Sequence, residues 1–362
     1  MLTNTGVKRR WRWALLLALI AAAGTLTLGG CARTAFYWQA ARGQWELVRE
    51  REPVAEVLAG DTLDPLLRER LALAFEARVF ASESLGLPDN KSYRTYVQLD
   101  RPHVLWNVVA APEFSVDPQT YCFPFAGCVS YRGFFREAAA REETERLQAE
   151  GLDAFYGGVG AYSTLGRFAD PILSSMLSGD ELSVIALIFH ELAHQVVYRP
   201  SDSPFSESFA TFVEREGLRR FLLDAGRSAD YEKYLNAEAR REDFAALVSS
   251  ARDQLREVYA QSLGAEQKRE RKRAAIDALR ARYAKVKSSW GGYAGYDGWF
   301  SRELNNAHLA TVSTYNQWVG AFGALLAEHD GDLPAFYAAV EALAKQDDAA
   351  VLERLEALNL SQ

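Results

Sequence analysis

Ile188-Phe189-His190-Glu191-Leu192-Ala193-His194-Gln195 is the stretch whose reading decides the fold. It carries H-E-x-x-H inside an apolar run, Leu182, Ile185, Ala186, Phe189, Ala193 and Val197, spaced for one helix. Residues four apart share a helix face, so His190 and His194 present two imidazoles to one metal ion. Glu191 lies about 100° round the helix, within reach of a water beside that ion. Two ligands and a general base are the parts of a zinc hydrolase. The structural alternative is a pair of core histidines bonded to backbone. Ser178 and Glu181 have capping-box spacing and predict the helix start, and Pro200 closes the segment.

A catalytic zinc needs a third protein ligand and one open position. Residues 203–214 read as a second helix, with Ser203 at the N-cap and Pro204 at the first helical position. Glu207 lies thirteen residues past His194, enough for a turn and an antiparallel return, and is the favoured third ligand. Glu214, on the same face seven residues on, is the rival ligand. Otherwise it is a carboxylate accepting a histidine N–H, an anchor for a substrate amine, or part of a solvated face.

The pairing of His190-Glu191-Leu192-Ala193-His194-Gln195 with Ser206-Glu207-Ser208-Phe209-Ala210 resembles the gluzincin pattern. More closely, the chain resembles the bacterial putative aminopeptidase lipoproteins. The resemblance runs through Tyr37-Trp38-Gln39-Ala40, Leu85-Gly86-Leu87-Pro88-Asp89-Asn90, Trp106-Asn107-Val108-Val109-Ala110-Ala111-Pro112-Glu113-Phe114, Gly127-Cys128-Val129-Ser130-Tyr131-Arg132-Gly133 and Ala161-Tyr162-Ser163-Thr164-Leu165-Gly166. Ser206 departs from the pattern, which carries Asn before the third ligand. The resemblance implies a zincin-like fold, one Zn²⁺ per chain and a peptide substrate. It makes residues 161–165 the candidate strand edge along which a substrate peptide pairs.

The N-terminus reads as an export signal. Lys8, Arg9, Arg10 and Arg12 precede an apolar stretch too short for a comfortable membrane span, and Leu28-Gly29-Gly30-Cys31 has lipobox form. Residues 1–30 are then a lipoprotein signal peptide and Cys31 an acylated anchor. Ala32 after the cysteine favours periplasm-facing attachment to the outer membrane. Losing four positive and no negative charges takes the net charge from −7 to about −11, which argues against nucleic acid as a partner. Cys122 and Cys128 flank five residues in a compartment where disulfides persist, and are expected to be bridged.

The expected fold is α+β, mainly α: a single domain over 31–362, a small sheet beside the H-E-x-x-H helix and a helical C-terminal region. Residues 34–85 read as helical and 93–99, 104–110 and 129–131 as strands. Residues 135–150 read as a charged helix and 157–163 as a strand with its turn. A charged helical hairpin is expected over 228–287, turning at Gly264. Its basic run at 268–273 is a solvated face or an arm for a protein partner.

The mechanism expected is peptide-bond hydrolysis. His190, His194 and Glu207 hold zinc, Glu191 moves the proton, and Tyr162, Tyr315 or His308 donates to the oxyanion. An α-amine anchor, Glu214 or Glu181, would make it an aminopeptidase. Without one it is an envelope endopeptidase. The non-enzymatic alternative is a lipid-anchored scaffold with a structural zinc.

Overall fold

The computed structural model describes residues 34–61, 63–123, 127–200, 202–312 and 316–360. Helix α1, residues 34–49, belongs to one compact unit; Glu50–Gln362 forms the other and is described by itself below. In that unit α2 (Val54–Ala59) and α3 (Pro65–Glu83) precede α4 (Glu137–Ala149), α5 (Glu181–Val196) and α6 (Ser203–Asp224). The molecule is mainly helical with small sheets.

Helix α5 carries H-E-x-x-H. Val184, Ile185 and Ile188 are indifferent helix formers. Burial of these residues, with Leu182, Ala186, Phe189, Leu192 and Ala193, is what makes the segment helical. Its N-cap is Asp180, not Ser178, because Met176–Ser178 closes as a 3₁₀ turn first. The next helix, in contrast, starts one residue earlier than expected. Asp202 caps it by accepting the Phe205 N–H at 3.0 Å, which leaves Ser203 inside the first turn. Ser206 closes the connection from within α6: its hydroxyl accepts the Arg199 N–H at 2.9 Å and donates to the Arg199 carbonyl at 3.2 Å.

Helices α3 and α6 pack against α5 through Phe80, Phe189 and Phe221, with centroids 5.2–6.4 Å apart. Gly217 permits the close approach. A Cβ there would lie 2.8 Å from Leu85 Cδ1 and 2.9 Å from Phe189 Cδ2. The far side of α6 is buttressed by α11 (Val319–Glu328) and α12 (Leu333–Ala344), where Phe322 and Phe336 stack against Phe205, Phe209 and Phe212.

The strands form three small sheets. In the first, β1 (Glu52–Pro53), β2 (Thr95–Val97) and β8 (Ile172–Leu173) lie side by side. In the second, β3 (Leu105–Pro112) pairs antiparallel with β6 (Arg132–Phe134) and β7 (Leu152–Val159), with α4 packed on it. The third is the hairpin of β4 (Tyr121–Phe123) and β5 (Gly127–Val129). The expected disulfide is formed: Cys122 and Cys128 stand opposite each other in that hairpin and their sulfurs are bonded.

The strand expected at 157–163 is displaced. It runs Leu152–Val159, and residues 161–165 are not strand; the chain turns there, with Leu165 at φ 54° and Gly166 at φ 76°. Gly157 and Gly158 are therefore close-packing positions and not the turn. The His103 ring lies on Gly158, where a Cβ would fall 2.0 Å from it. The edge strands of this sheet are β6 and β7.

The charged segment forms α7 (Ser228–Ala260) and α8 (Ala265–Ser289), joined through Gly264. The pair has its own core of Leu247, Val248, Leu255, Ile276, Leu279 and Tyr283 with Phe300. Three of the five basic residues of the run are tied back to the protein rather than solvated: Arg269 pairs with Glu113 through two bonds of 2.6 and 3.1 Å, Lys272 meets Asp153 at 2.5 Å, and Lys268 donates to the Tyr259 carbonyl. Short helices α9 (Asp297–Phe300) and α10 (Asn306–Ala310) precede α11, and α13 (Asp348–Asn359) closes the chain. Among the described residues no helix is long and apolar enough to cross a membrane.

Candidate metal centre

Helices α5 and α6 bring the predicted trio together. His190 Nε2 and His194 Nε2 lie 3.1 Å apart. Glu207 Oε2 is 3.4 Å from the first and Glu207 Oε1 is 3.6 Å from the second. These three residues form the one cluster of metal-binding type found among the described residues. A tetrahedral ion with bonds of about 2.0–2.1 Å separates its ligand atoms by about 3.3 Å. The observed separations lie near that length, the two to Glu207 running to different carboxylate oxygens, so the donor set suits a zinc-sized cation. The site opens beside Glu207, whose side chain is 36% exposed against 5% for His194.

Glu214 stands outside the trio and holds it. Its Oε2 lies 3.0 Å from His190 Nδ1, and its Oε1 accepts the Tyr234 hydroxyl at 2.8 Å. With its Nδ1 proton given to Glu214, a neutral His190 must carry its lone pair on Nε2, the nitrogen that faces His194 and Glu207. His194 Nδ1 is buried with no protein partner among the described residues. With no metal ion in place, burial opposes the charged form of His190, but the Glu207 and Glu214 carboxylates outweigh it and raise its pKa to about 10. The reciprocal effect holds Glu207 down at about 2 and Glu214 below the usual carboxylate range, against burial in both cases.

Glu191 is half-buried next to the ligands, and the groups that feel its charge locate it. Tyr93, 2% exposed and at φ 59°, has its phenol pushed well up by burial, Glu191 and Asp170, with a bond to Ser163 opposing. Tyr131 is raised by burial, Tyr198, Glu207 and Glu191. The Tyr198 ring meets that of His194 edge-on at 5.5 Å.

Residues 163–166, although not strand, lie against the end of α5. Gly166 is so close to Gln195 that a Cβ would fall 2.7 Å from Gln195 Oε1. Buried Asp170 fixes this segment, accepting from Thr164 N at 2.9 Å, Thr164 Oγ1 at 2.6 Å and Ser163 Oγ at 3.3 Å. The loop before Tyr93 is hooked to the same glutamine by Asn90 Nδ2 at 2.7 Å.

The three predicted oxyanion donors fare differently. Tyr162 has its phenol raised by burial and Asp170, with Arg51 opposing; none of the trio acts on it. His308 sits on α10, 4.0 Å from the Phe155 ring, in a cleft of about 1060 Å³ lined by β7. Tyr315 lies outside the described residues, as does the lipobox Cys31. Tyr93, Tyr131, Tyr198 and Tyr234 were missed from sequence. Tyr198 lies just past the end of α5, beyond the extended C-cap Val197, so the helical period did not reach it. Tyr131 sits in a quoted family stretch. Tyr93 and Tyr234 gave no local signal.

A family model described as "Putative aminopeptidase" matches residues 35–358. No curated protein and no solved structure matches the chain.

Proposed function

This chain belongs to the putative aminopeptidase family, and on that premise we propose that it is a zincin-like, zinc-dependent peptidase of the bacterial cell envelope. The family supports peptide-bond hydrolysis in general. The observation that carries the finer reading is the convergence of His190 Nε2, His194 Nε2 and Glu207 at 3.1–3.6 Å, with Glu191 next in the chain. A structural zinc site would have no use for that carboxylate.

His190, His194 and Glu207 would hold the Zn²⁺. The ion supplies Lewis acidity, polarising the scissile carbonyl and acidifying water. Glu191 takes the proton from the attacking water at its carboxylate and passes it to the leaving amine. Glu214 keeps His190 in the tautomer that offers Nε2. Residues 163–166, braced by Asp170, form a wall against which the peptide lies. The basic n-region, the lipobox at Cys31 and Ala32 after it support a lipid-held enzyme on the periplasmic side of the outer membrane.

One observation favours an endopeptidase over an aminopeptidase. Both acids offered by the sequence for an α-amine are engaged: Glu214 by His190 and Tyr234, and Glu181 by Arg227.

Metal analysis paired with cleavage of terminally labelled peptides tests the whole reading. The wild type should carry one zinc and cut. Glu191→Gln should keep the zinc and lose about 10²–10⁴-fold in rate; near-normal turnover removes Glu191 from the mechanism. Comparing free with N-acetylated peptide separates the two specificities, since an aminopeptidase needs the free amine.

A further inference from the structure

We propose that Tyr234, on helix α7 of the charged hairpin, is a positioning residue for the metal centre. This rests on the zinc reading above. Glu214, its side chain 14% exposed, spends one oxygen on His190 Nδ1 at 3.0 Å. Its other oxygen receives the Tyr234 hydroxyl at 2.8 Å, and among the described residues no other hydrogen bond reaches that oxygen. Tyr234 is itself 3% exposed, so its ring cannot swing away without opening the core.

The chain of contacts is linear: phenol to carboxylate, carboxylate to imidazole, imidazole to ion. A buried carboxylate with one oxygen unsatisfied rotates to find a donor or draws in water, and either movement loosens the bond that orients His190. Outer partners of a metal-bound histidine typically change metal affinity by about 10–100-fold when removed. Tyr234 acts one link further out and should contribute less. The geometry also gives the hairpin a role: one turn of α7 is part of the centre. That turn is anchored, because Glu238, four residues on, is paired with Arg215 on α6 at 3.1 Å and with Arg241.

The test is zinc affinity by chelator competition on the full-length protein, with thermal unfolding of the metal-free form measured alongside. Tyr234→Phe removes the hydroxyl and keeps the ring. It should bind zinc about three- to tenfold more weakly. Tyr231→Phe, one turn earlier on α7, should bind as wild type does. In a Glu214→Gln background the Tyr234→Phe effect should shrink to within twofold, because the link it acts through has been cut. Three results overturn the proposal: Tyr234→Phe with affinity within twofold of wild type, a drop equal for Tyr231→Phe, or the same drop with and without Glu214. Lower metal-free stability at unchanged affinity makes Tyr234 merely structural and is the first of these. A wild type that takes up no zinc is a separate outcome, which removes the zinc reading and this proposal with it.

Discussion

Acid should destabilise this protein through His308, and by a predictable amount. The ring is 6% exposed, lies 4.0 Å from Phe155, and has its Nδ1 2.9 Å from Asn305 Oδ1. Burial first, and the Arg302 charge second, lower its pKa from the ordinary 6.5 to about 4. The folded protein therefore takes up this proton only near pH 4, while the unfolded chain takes it up near 6.5. Between those values the unfolded state binds more protons, so the contribution is fully present above 6.5 and is lost as pH falls toward 4. At about 1.36 kcal/mol per pH unit, the loss from His308 alone between pH 7.5 and pH 4.5 is about 2.5 kcal/mol.

His308→Gln keeps a polar side chain of similar reach and cannot titrate. Urea unfolding of both proteins, in chelator so that zinc release does not intrude, measures the difference. Wild type should lose about 2.5 kcal/mol more than the variant over that range. Curves that run parallel within about 0.5 kcal/mol would refute the argument. Because His308 shares no contact with Glu191 or the trio, the variant should also cut peptide within a few-fold of wild type at pH 7.5. A hundredfold loss would return His308 to the list of oxyanion donors.

Two further expectations concern the helices and the wall of the site. Gly217→Ala forces a methyl to within 3 Å of Leu85 and Phe189. It should cost about 1–3 kcal/mol and weaken zinc binding, because the spacing of α5 and α6 sets the distance from the histidines to Glu207; a melting temperature and zinc affinity equal to wild type would show that the interface has room. Asp170→Ala should leave zinc affinity unchanged and lower kcat/KM at least tenfold, since it frees residues 163–166 but touches no ligand. Unchanged kcat/KM for a labelled peptide would show that this segment does not guide substrate.

The sequence by itself determined the two helices that bring His190, His194 and Glu207 together. H-E-x-x-H needs only the 3.6-residue period to put His190 and His194 on one face, and that period is local. The place of Glu207 beside the two histidines was legible for a related reason: a short proline-marked connection forces α6 back along α5. The disulfide was legible because Cys122 and Cys128 lie close in sequence in a chain that reads as exported to a compartment where disulfides persist.

Tertiary structure decided the rest. That Glu214 meets His190 Nδ1 while Glu207 meets the two Nε2 atoms depended on how α6 packs on α5, where Gly217 lies against Phe189. Tyr93 and Tyr131 come from two connecting segments and Tyr234 from α7, and no spacing along the chain encodes such meetings. The strand before the metal helix was displaced because Gly157 and Gly158 read as a turn, whereas long-range packing of His103 requires them within the strand. A periodicity acts between neighbours and can be read from them; a side chain that arrives from another helix is fixed only when the whole core has closed around it.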